Sequence, residues 1–282
     1  KFTSKRKAAR KRILEVENAL TGHKFADDTL IVATSGRYEF KNKGVDVFIH
    51  AMRRCLDQSA DLKNEVLALI QVPGWVAGPR ADLQARLDFP QVYDTALDNP
   101  VITHDLHEMQ HDQVLNLFRA LNISNSEESK VKVIFVPCYL DGADGIFQMP
   151  YYDLLIGNDL AVYPSYYEPW GYTPLEAVAF HVPCITTSLS GFGIWAQTVK
   201  GDISTLEDGV EVIARNDYNN DEVAQGICHA LLRYSACSDQ ERDAMRKKAS
   251  ALSKKALWKN FFTYYKQAYA IALENAKLRQ SK

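Results

Sequence analysis

Short runs of apolar residues recur along the chain and predict buried strands. The runs are apolar at every position rather than at alternate positions, which is typical of strands buried on both faces of a parallel sheet covered by helices. We therefore predict an α/β fold, a Rossmann-like parallel sheet with helices on both faces. The predicted strands cover residues 29–35, 66–70, 131–136, 160–163 and 182–186.

Helical spacing follows the first strand and returns at the end of the chain. Val45, Phe48 and Met52 form an apolar stripe after a loop that is bounded by glycines. From about residue 221 the pattern is helical to the end. Between the second and third strands lie roughly sixty residues with four prolines, too many for a simple crossover, so we expect an insertion with short helices of its own.

These patterns predict one main domain after a basic N-terminal segment. Residues 1–24 form a basic helix or linker, for which a solvated helix face is favoured over a nucleic-acid arm. Residues 25–282 form the Rossmann-like domain, with the insertion at about 72–130 and the C-terminal helices from about 221. The chain begins at Lys1 rather than Met, so we expect a fragment of a longer protein.

Composition excludes several classes of protein. The 282 residues are 46% hydrophobic and 24% charged, as in an ordinary globular protein, and the formal charge of −2 does not indicate binding to nucleic acid or to an anionic membrane. There is no apolar run near the ~18 residues that a membrane span needs. The five cysteines are scattered without a CxxC pair, which suits a reducing cytosol, so we expect a cytoplasmic location.

Two loops at predicted strand ends carry candidate chemistry. In an open parallel sheet, ligands bind beyond the carboxyl ends of the strands, where helix N-termini offer free N–H groups. In the loop 36–44, Arg37 and Lys43 could converge on a diphosphate and offset the charge that builds as it departs. A polar turn with an exposed lysine is the alternative, and the spacing alone favours it.

The second loop runs from a strand end at Tyr163 into a helix. Thr173 as N-cap, Pro174 at the first position and Glu176 three residues after the cap predict a capping box. Glu176 could equally take a ribose hydroxyl pair. Glu168 lies in an aromatic loop without an evident structural partner, so a functional carboxylate is favoured over a solvent-exposed one.

Two further patterns are weaker. His104, His107 and His111 would share one helix face as metal ligands do, but no carboxylate or cysteine is clearly placed with them, so a structural interpretation is favoured. The segment 190–193 (SGFG) is another glycine-rich strand exit, and a lone GxG is a weak phosphate signal.

Together the segments resemble the animal and fungal type of glycogen synthase, a retaining glycosyltransferase of the two-domain GT-B fold. The resemblance implies that the chain is the C-terminal, donor-binding half of that fold. The resemblance covers most of residues 29–193. It rests on SGRYEFKNKGVDVFIHA (35–51), VITHDL (101–106), VKVIFVPCYL (131–140), YPSYYEPWGYTPLEAVAF (163–180) and PCITTSLSGFG (183–193).

The resemblance also implies roles for individual residues. Glu168 is then the catalytic carboxylate beside the transferred glucose, with Arg37 and Lys43 on the donor diphosphate. Glu176 contacts the ribose, and the uracil stacks on Tyr151 or, one position along, on Tyr152. The predicted substrate-binding residues are Tyr151, Trp170, Gly171, Tyr172, Thr173 and Glu176.

The implied activity is transfer of glucose from UDP-glucose, with ADP-glucose left open, to the non-reducing end of an α-1,4-glucan with retention. No cofactor and no metal are expected. The expected partners are the nucleotide sugar, the glucan and the N-terminal GT-B domain of the same protein. Whether the full-length enzyme is a homo-oligomer is left open. Without that domain the chain is expected to be inactive. The alternatives are a non-catalytic sugar-nucleotide-binding or regulatory module, and a phosphorylase, whose pyridoxal-phosphate lysine motif we do not find.

Overall fold

The computed structural model describes residues 1–201 and 204–280. Six of its strands form one parallel sheet and two form a small antiparallel sheet. The strands are β1 (Leu30–Ser35), β2 (Val66–Gln71), β3 (Val76–Pro79), β4 (His104–Leu106), β5 (Val131–Val136), β6 (Leu160–Val162), β7 (Cys184–Thr187) and β8 (Val210–Ile213).

Helices surround the parallel sheet, and none in the part described is long and apolar enough to cross a membrane. Short 3₁₀ turns cover residues 59–61 and 206–208. The helices are α1 (Phe2–Thr21), α2 (Val45–Asp57), α3 (Ala81–Leu87), α4 (Gln113–Ala120), α5 (Tyr151–Leu155), α6 (Tyr172–Ala179), α7 (Gly191–Lys200), α8 (Asn220–Ala236), α9 (Asp239–Lys255) and α10 (Trp258–Gln280).

The strand order of the parallel sheet is β5-β2-β1-β6-β7-β8. Chain order therefore runs outward in both directions from β1, which pairs with β2 on one side and β6 on the other. In such a doubly wound sheet the helices that follow β1 and β6 lie on opposite faces, and a crevice forms between them at the carboxyl edge. This topological switch point is where the fold positions a ligand site.

The core has a layer on each face of the sheet. Along β1, Leu30 and Val32 join the apolar cluster formed with α2 and α8, whereas Ile31 and Ala33 join the cluster formed with α1. This is the alternation that a strand covered on both faces must show. Every residue of β1, β2 and β5 is buried, as the continuous apolar runs predicted.

Two features of the sheets were not predicted. Strand β8 lies at the sheet edge, and only its first residue, Val210, is buried. An edge strand does not need a continuous apolar run, and β8 contains Glu211 at its second position. Between β2 and β5, strands β3 and β4 pair antiparallel beside the short helices α3 and α4. Short helices were expected there, but the strand pair was not.

Helix α1 corrects the prediction of a solvated basic segment. Arg6 and Arg10 form ion pairs of 2.5 and 2.7 Å with the two carboxylate oxygens of Asp159, which precedes β6. Asp159 also accepts a hydrogen bond of 2.8 Å from the backbone N–H of Ile31. Burial raises the pKa of Asp159, but Arg10 and Arg6 outweigh it and hold that pKa below its usual value. Arg6 and Arg10 therefore fasten α1 to the sheet, whereas the side chains of Lys5 and Lys11 are exposed, as predicted.

Candidate functional site

The loops that follow β1 and β6 meet at the switch point through an ion pair. Lys43 Nζ donates to a carboxylate oxygen of Glu168, and the side chains of Lys43 and Glu168 are only 18% and 17% exposed. The backbone N–H of Tyr166 also donates to the carbonyl of Asn42 at 2.9 Å. The two loops proposed from the sequence therefore form one site.

Gly44 sets the distance between these loops. It precedes α2 with a left-handed φ of 70°, and a Cβ built on it would lie 1.9 Å from the carbonyl oxygen of Pro164. A side chain is therefore excluded by both the backbone conformation and the contact. Lys43 is in this way held against the loop that carries Glu168.

The loop after β7 supports Glu168 from the other side. The backbone carbonyl of Glu168 accepts from Gly191 N at 3.0 Å, and a Cβ on Gly191 would lie 2.1 Å from the Pro169 carbonyl oxygen. Ser190 Oγ donates to the Trp170 carbonyl at 3.1 Å and accepts from the backbone N–H of Gly193. The glycine-rich strand exit thus caps α7 and packs against the Glu168 loop.

Two predictions about charged groups at this site are corrected. Glu168, which had no evident partner in the sequence, is paired with Lys43, 125 positions away along the chain. Arg37 does not converge with Lys43, because its side chain is 80% exposed and lies 2.9 Å from Glu39. An exposed pair of this kind contributes little to stability, so Arg37 is free to move at small cost.

The capping box predicted for α6 is wrong. The helix begins at Tyr172, with Gly171 as the cap in a left-handed conformation and without a side-chain cap hydrogen bond, so Thr173 lies inside the first turn. Glycine allows that early start, because residues with a Cβ rarely adopt a φ of 112°. Glu176 instead accepts a hydrogen bond of 2.9 Å from the Tyr152 hydroxyl.

The structure distinguishes the two tyrosines that could stack on a base. Tyr151 lies inward, where its hydroxyl is 2.7 Å from Ser35 Oγ and burial raises its pKa. Tyr152 is exposed and lies parallel to Phe180, with ring centroids 5.2 Å apart. Tyr152 is therefore the more exposed of the two rings and lies beside Glu176.

Trp170, which the family resemblance implies is a substrate-binding residue, contributes its ring to an aromatic cluster. Its ring contacts Phe192, Trp195 and Phe261 with centroid distances of 5.5 to 5.8 Å. Tyr172, by contrast, is exposed at the start of α6. The Trp170 ring therefore helps to hold the loop in place. The exposed side chains around the site, such as that of Tyr172, belong to neighbouring residues.

Arg215 belongs to the site but was missed in the sequence. It follows β8 and is 6% exposed, with one guanidinium nitrogen donating to the Pro164 carbonyl and another to Asn220 Oδ1 at 3.1 Å. Its guanidinium lies 5.4 Å from the ring centroid of Tyr166. Because β8 was not predicted, no sequence pattern placed Arg215 at the sheet's carboxyl edge.

The histidines do not form the predicted helical face. His104 lies in β4, and its ring nitrogens are 2.8 Å from Thr103 Oγ1 and from the Asp144 backbone oxygen. Cys138 and the Asp144 carboxylate lie near this ring. The Asp144 carboxylate accepts three backbone N–H bonds, and burial raises the pKa of Cys138 to about 12, which keeps the thiol protonated. These groups fit a structural role better than metal ligation.

Comparison with known protein families identifies the family of this chain. The family model for glycogen synthase matches residues 92–281. The chain belongs to the glycogen synthase family. Relatives within it include glycogen [starch] synthase of Neurospora crassa, 27% identical with 89% of this chain and 42% of that protein aligned, and isoform 1 of Saccharomyces cerevisiae, 27% identical with 91% and 44% aligned. The chain thus spans less than half the length of these family members.

Solved structures of low identity share the fold. An α,α-trehalose-phosphate synthase (UDP-forming) from Burkholderia vietnamiensis matches with a TM-score of 0.52 and 14% identity, over 98% of this chain and 50% of that one. The N-terminal domain of Candida albicans trehalose-6-phosphate phosphatase matches with a TM-score of 0.52 and 17% identity, over 92% and 43%. The predicted Rossmann-like fold, a parallel sheet with helices on both faces, is confirmed, as is the family resemblance.

Proposed function

We propose that this chain binds UDP-glucose at the switch point between β1 and β6 and presents its glucosyl group for transfer to the non-reducing end of an α-1,4-glucan, with retention. The observation that carries the proposal is the Lys43–Glu168 pair, which joins a cation and a carboxylate where doubly wound sheets bind nucleotides. Membership of the glycogen synthase family supports the choice of glucose donor and glucan acceptor.

Lys43 and Arg37 bind the diphosphate in this proposal. Lys43 directly precedes Gly44, the N-cap of α2, so an anion bound by Lys43 also lies at the positive end of the helix dipole. Donor binding moves Lys43 Nζ from the Glu168 carboxylate to a phosphate oxygen, and the exposed Arg37 turns inward to the same group. The two cations then offset the negative charge that grows on the leaving UDP, without a metal ion.

Glu168 acts at the sugar. Once Lys43 binds phosphate, the carboxylate faces the glucosyl ring and stabilises positive charge at the anomeric carbon as the bond to UDP breaks. The departing phosphate oxygen takes the proton of the acceptor hydroxyl, which attacks from the same face, so the configuration is retained. In the full-length enzyme, replacement of Glu168 by Ala should then lower transfer by several orders of magnitude, and near-normal rates would contradict this role.

Glu176 and Tyr152 bind the nucleoside. Glu176 is not used as a helix cap, so its carboxylate is available to accept hydrogen bonds from the ribose hydroxyls. The exposed ring of Tyr152 lies beside it and offers a face for the uracil. An adenine would stack on the same ring, and competition between UDP-glucose and ADP-glucose in one titration identifies the donor.

The binding step is tested by calorimetry with UDP-glucose. Lys43→Ala is compared with Lys41→Ala, which removes an exposed lysine from the same loop. We expect at least tenfold weaker binding for Lys43→Ala and unchanged binding for Lys41→Ala. Equal affinity of the two variants, or no binding by the native chain, contradicts the proposal.

A binding module without transfer activity is the second candidate, favoured because the chain spans only 42% to 44% of the relatives' length. Incorporation of radiolabelled glucose into glycogen by this chain separates the two. UDP-glucose binding without incorporation supports a donor-binding unit that needs the remaining part of the GT-B enzyme, and incorporation refutes it. A cytoplasmic location and a homo-oligomeric enzyme remain predictions.

A further inference from the structure

Two aromatic side chains project from the sheet edge that holds the candidate site. Trp75 follows β2 and is 73% exposed, and Tyr139 follows β5 and is 78% exposed. Because all strands of this sheet are parallel, their carboxyl ends lie at the edge where Lys43 and Glu168 meet. Single exposed aromatics are common, but these two share one edge with the proposed transfer site.

Trp75 is held in place before any ligand binds. Its carbonyl accepts a hydrogen bond of 3.0 Å from the backbone N–H of His107, and the two rings are 5.0 Å apart at 46°. The preceding Gly74 donates to the Pro137 carbonyl at 3.0 Å, and β3 pairs with β4 immediately beyond. Stacking of a ligand on this indole therefore costs little conformational entropy, because the surrounding backbone is already fixed.

The aromatic edge is continuous with the loop that carries Lys43. A Cβ built on Gly74 would lie 3.7 Å from the ring of Tyr38, which belongs to the loop after β1. Tyr38 is itself fixed by a hydrogen bond of 2.7 Å to Asp112. From the donor site the edge thus runs past Tyr38 to Trp75 and, one strand further out, to Tyr139.

The chemistry of this edge suits a neutral, hydroxyl-rich ligand. The flat C–H faces of glucose rings pack on exposed aromatic faces, and the polar ring of His107 beside the indole offers a hydrogen bond to a sugar hydroxyl. The carboxylates of Asp105 and Asp141, both exposed near this edge, accept hydrogen bonds from hydroxyls but repel phosphates. A polyanion is therefore a poor occupant.

We propose that Trp75, supported by His107 and extended by Tyr139, forms a binding subsite for the α-glucan chain on the donor-binding chain itself. The inference rests on the proposed function for its choice of sugar. It places the acceptor contact after β2, the strand next to β1, and so at the same sheet edge as the Lys43–Glu168 pair.

The test is binding of maltoheptaose by calorimetry, with retardation in glycogen-containing gels as a second measurement. The variants are Trp75→Ala, Trp75→Phe and Tyr139→Ala, and Phe89→Ala is the control because Phe89 is 72% exposed on a different loop. We expect at least tenfold weaker maltoheptaose binding for Trp75→Ala, as for a stacking anchor, and a smaller loss for Trp75→Phe, which keeps a ring. Phe89→Ala should bind as the native chain does.

UDP-glucose binding by the same variants separates this inference from the donor site. Unchanged UDP-glucose affinity in Trp75→Ala shows that the chain is folded and that the lost affinity belongs to the glucan. Maltoheptaose binding that depends on Trp75 in a chain that fails to bind UDP-glucose supports the subsite and refutes the donor proposal. No maltoheptaose binding by the native chain, or equal binding by Trp75→Ala and Phe89→Ala, overturns the subsite.

Discussion

Replacement of Glu17 by Gln should remove most of the loss of stability that this chain suffers as pH rises. Glu17 lies on α1, is 1% exposed and accepts a hydrogen bond from Thr21 Oγ1. Burial raises its pKa to about 8 from an ordinary value of 4.5, with Glu65 adding to the shift, while Thr21 and Lys132 oppose it. The folded chain therefore keeps a proton that the unfolded chain releases.

The sign and size of the effect follow from that difference. The stabilisation is complete below pH 4.5 and is lost as pH rises to about 8, because over this window the unfolded state alone gives up its proton. At ~1.4 kcal/mol per pKa unit, the shift corresponds to a loss of about 5 kcal/mol as an upper bound. Gln keeps the shape and an acceptor for Thr21 but cannot ionise.

The assay is urea unfolding at pH 5, 7 and 9 of the native chain, Glu17→Gln and Glu15→Gln, the last a half-exposed glutamate on the same helix. We expect the native chain and Glu15→Gln to lose stability from pH 5 to 9, and Glu17→Gln to lose much less. Parallel pH profiles for native chain and Glu17→Gln would refute the reasoning.

Three further substitutions test the packing around the site and the attachment of α1 to the sheet. Gly44→Ala should destabilise the chain by at least ~2 kcal/mol in urea unfolding, because its Cβ would overlap the Pro164 carbonyl; a smaller effect contradicts the contact. Arg215→Met should weaken UDP-glucose binding several-fold in calorimetry by releasing the Pro164 carbonyl, and unchanged affinity would show that the loop holds its place without it. Asp159→Asn should cost about 3 to 5 kcal/mol in the same unfolding assay, because the cations of α1 lose their buried partner, and retained stability would place α1 on the surface.

The sequence allowed the sheet to be predicted, together with the two loops that carry Lys43 and Glu168. Continuous apolar runs indicate strands buried on both faces, and their order with the intervening helices places ligands at the carboxyl edge. That reasoning located the loops of Lys43 and Glu168 before their contact was known. It failed for β8, whose edge position leaves one face partly exposed and so removes the continuous apolar run.

Side-chain partners at the site could not be predicted from local patterns. Lys43 pairs with Glu168 because Gly44 lets its loop come close to the loop that contains Pro164. The spacing of residues along the chain does not predict that two distant loops come this close. The start of α6 was misplaced because Gly171 offers a left-handed cap that replaces the expected Thr173 cap. Arg6 and Arg10 were judged solvated because their partner Asp159 is distant in sequence.

The central claim is that the Lys43–Glu168 pair marks the donor site, and a crystal structure of the chain with UDP tests it most directly. The account predicts that a diphosphate oxygen lies within hydrogen-bond distance of Lys43 Nζ, with the ribose near Glu176 and the base against Tyr152. Diphosphate bound elsewhere, with Lys43 still paired to Glu168, would contradict it.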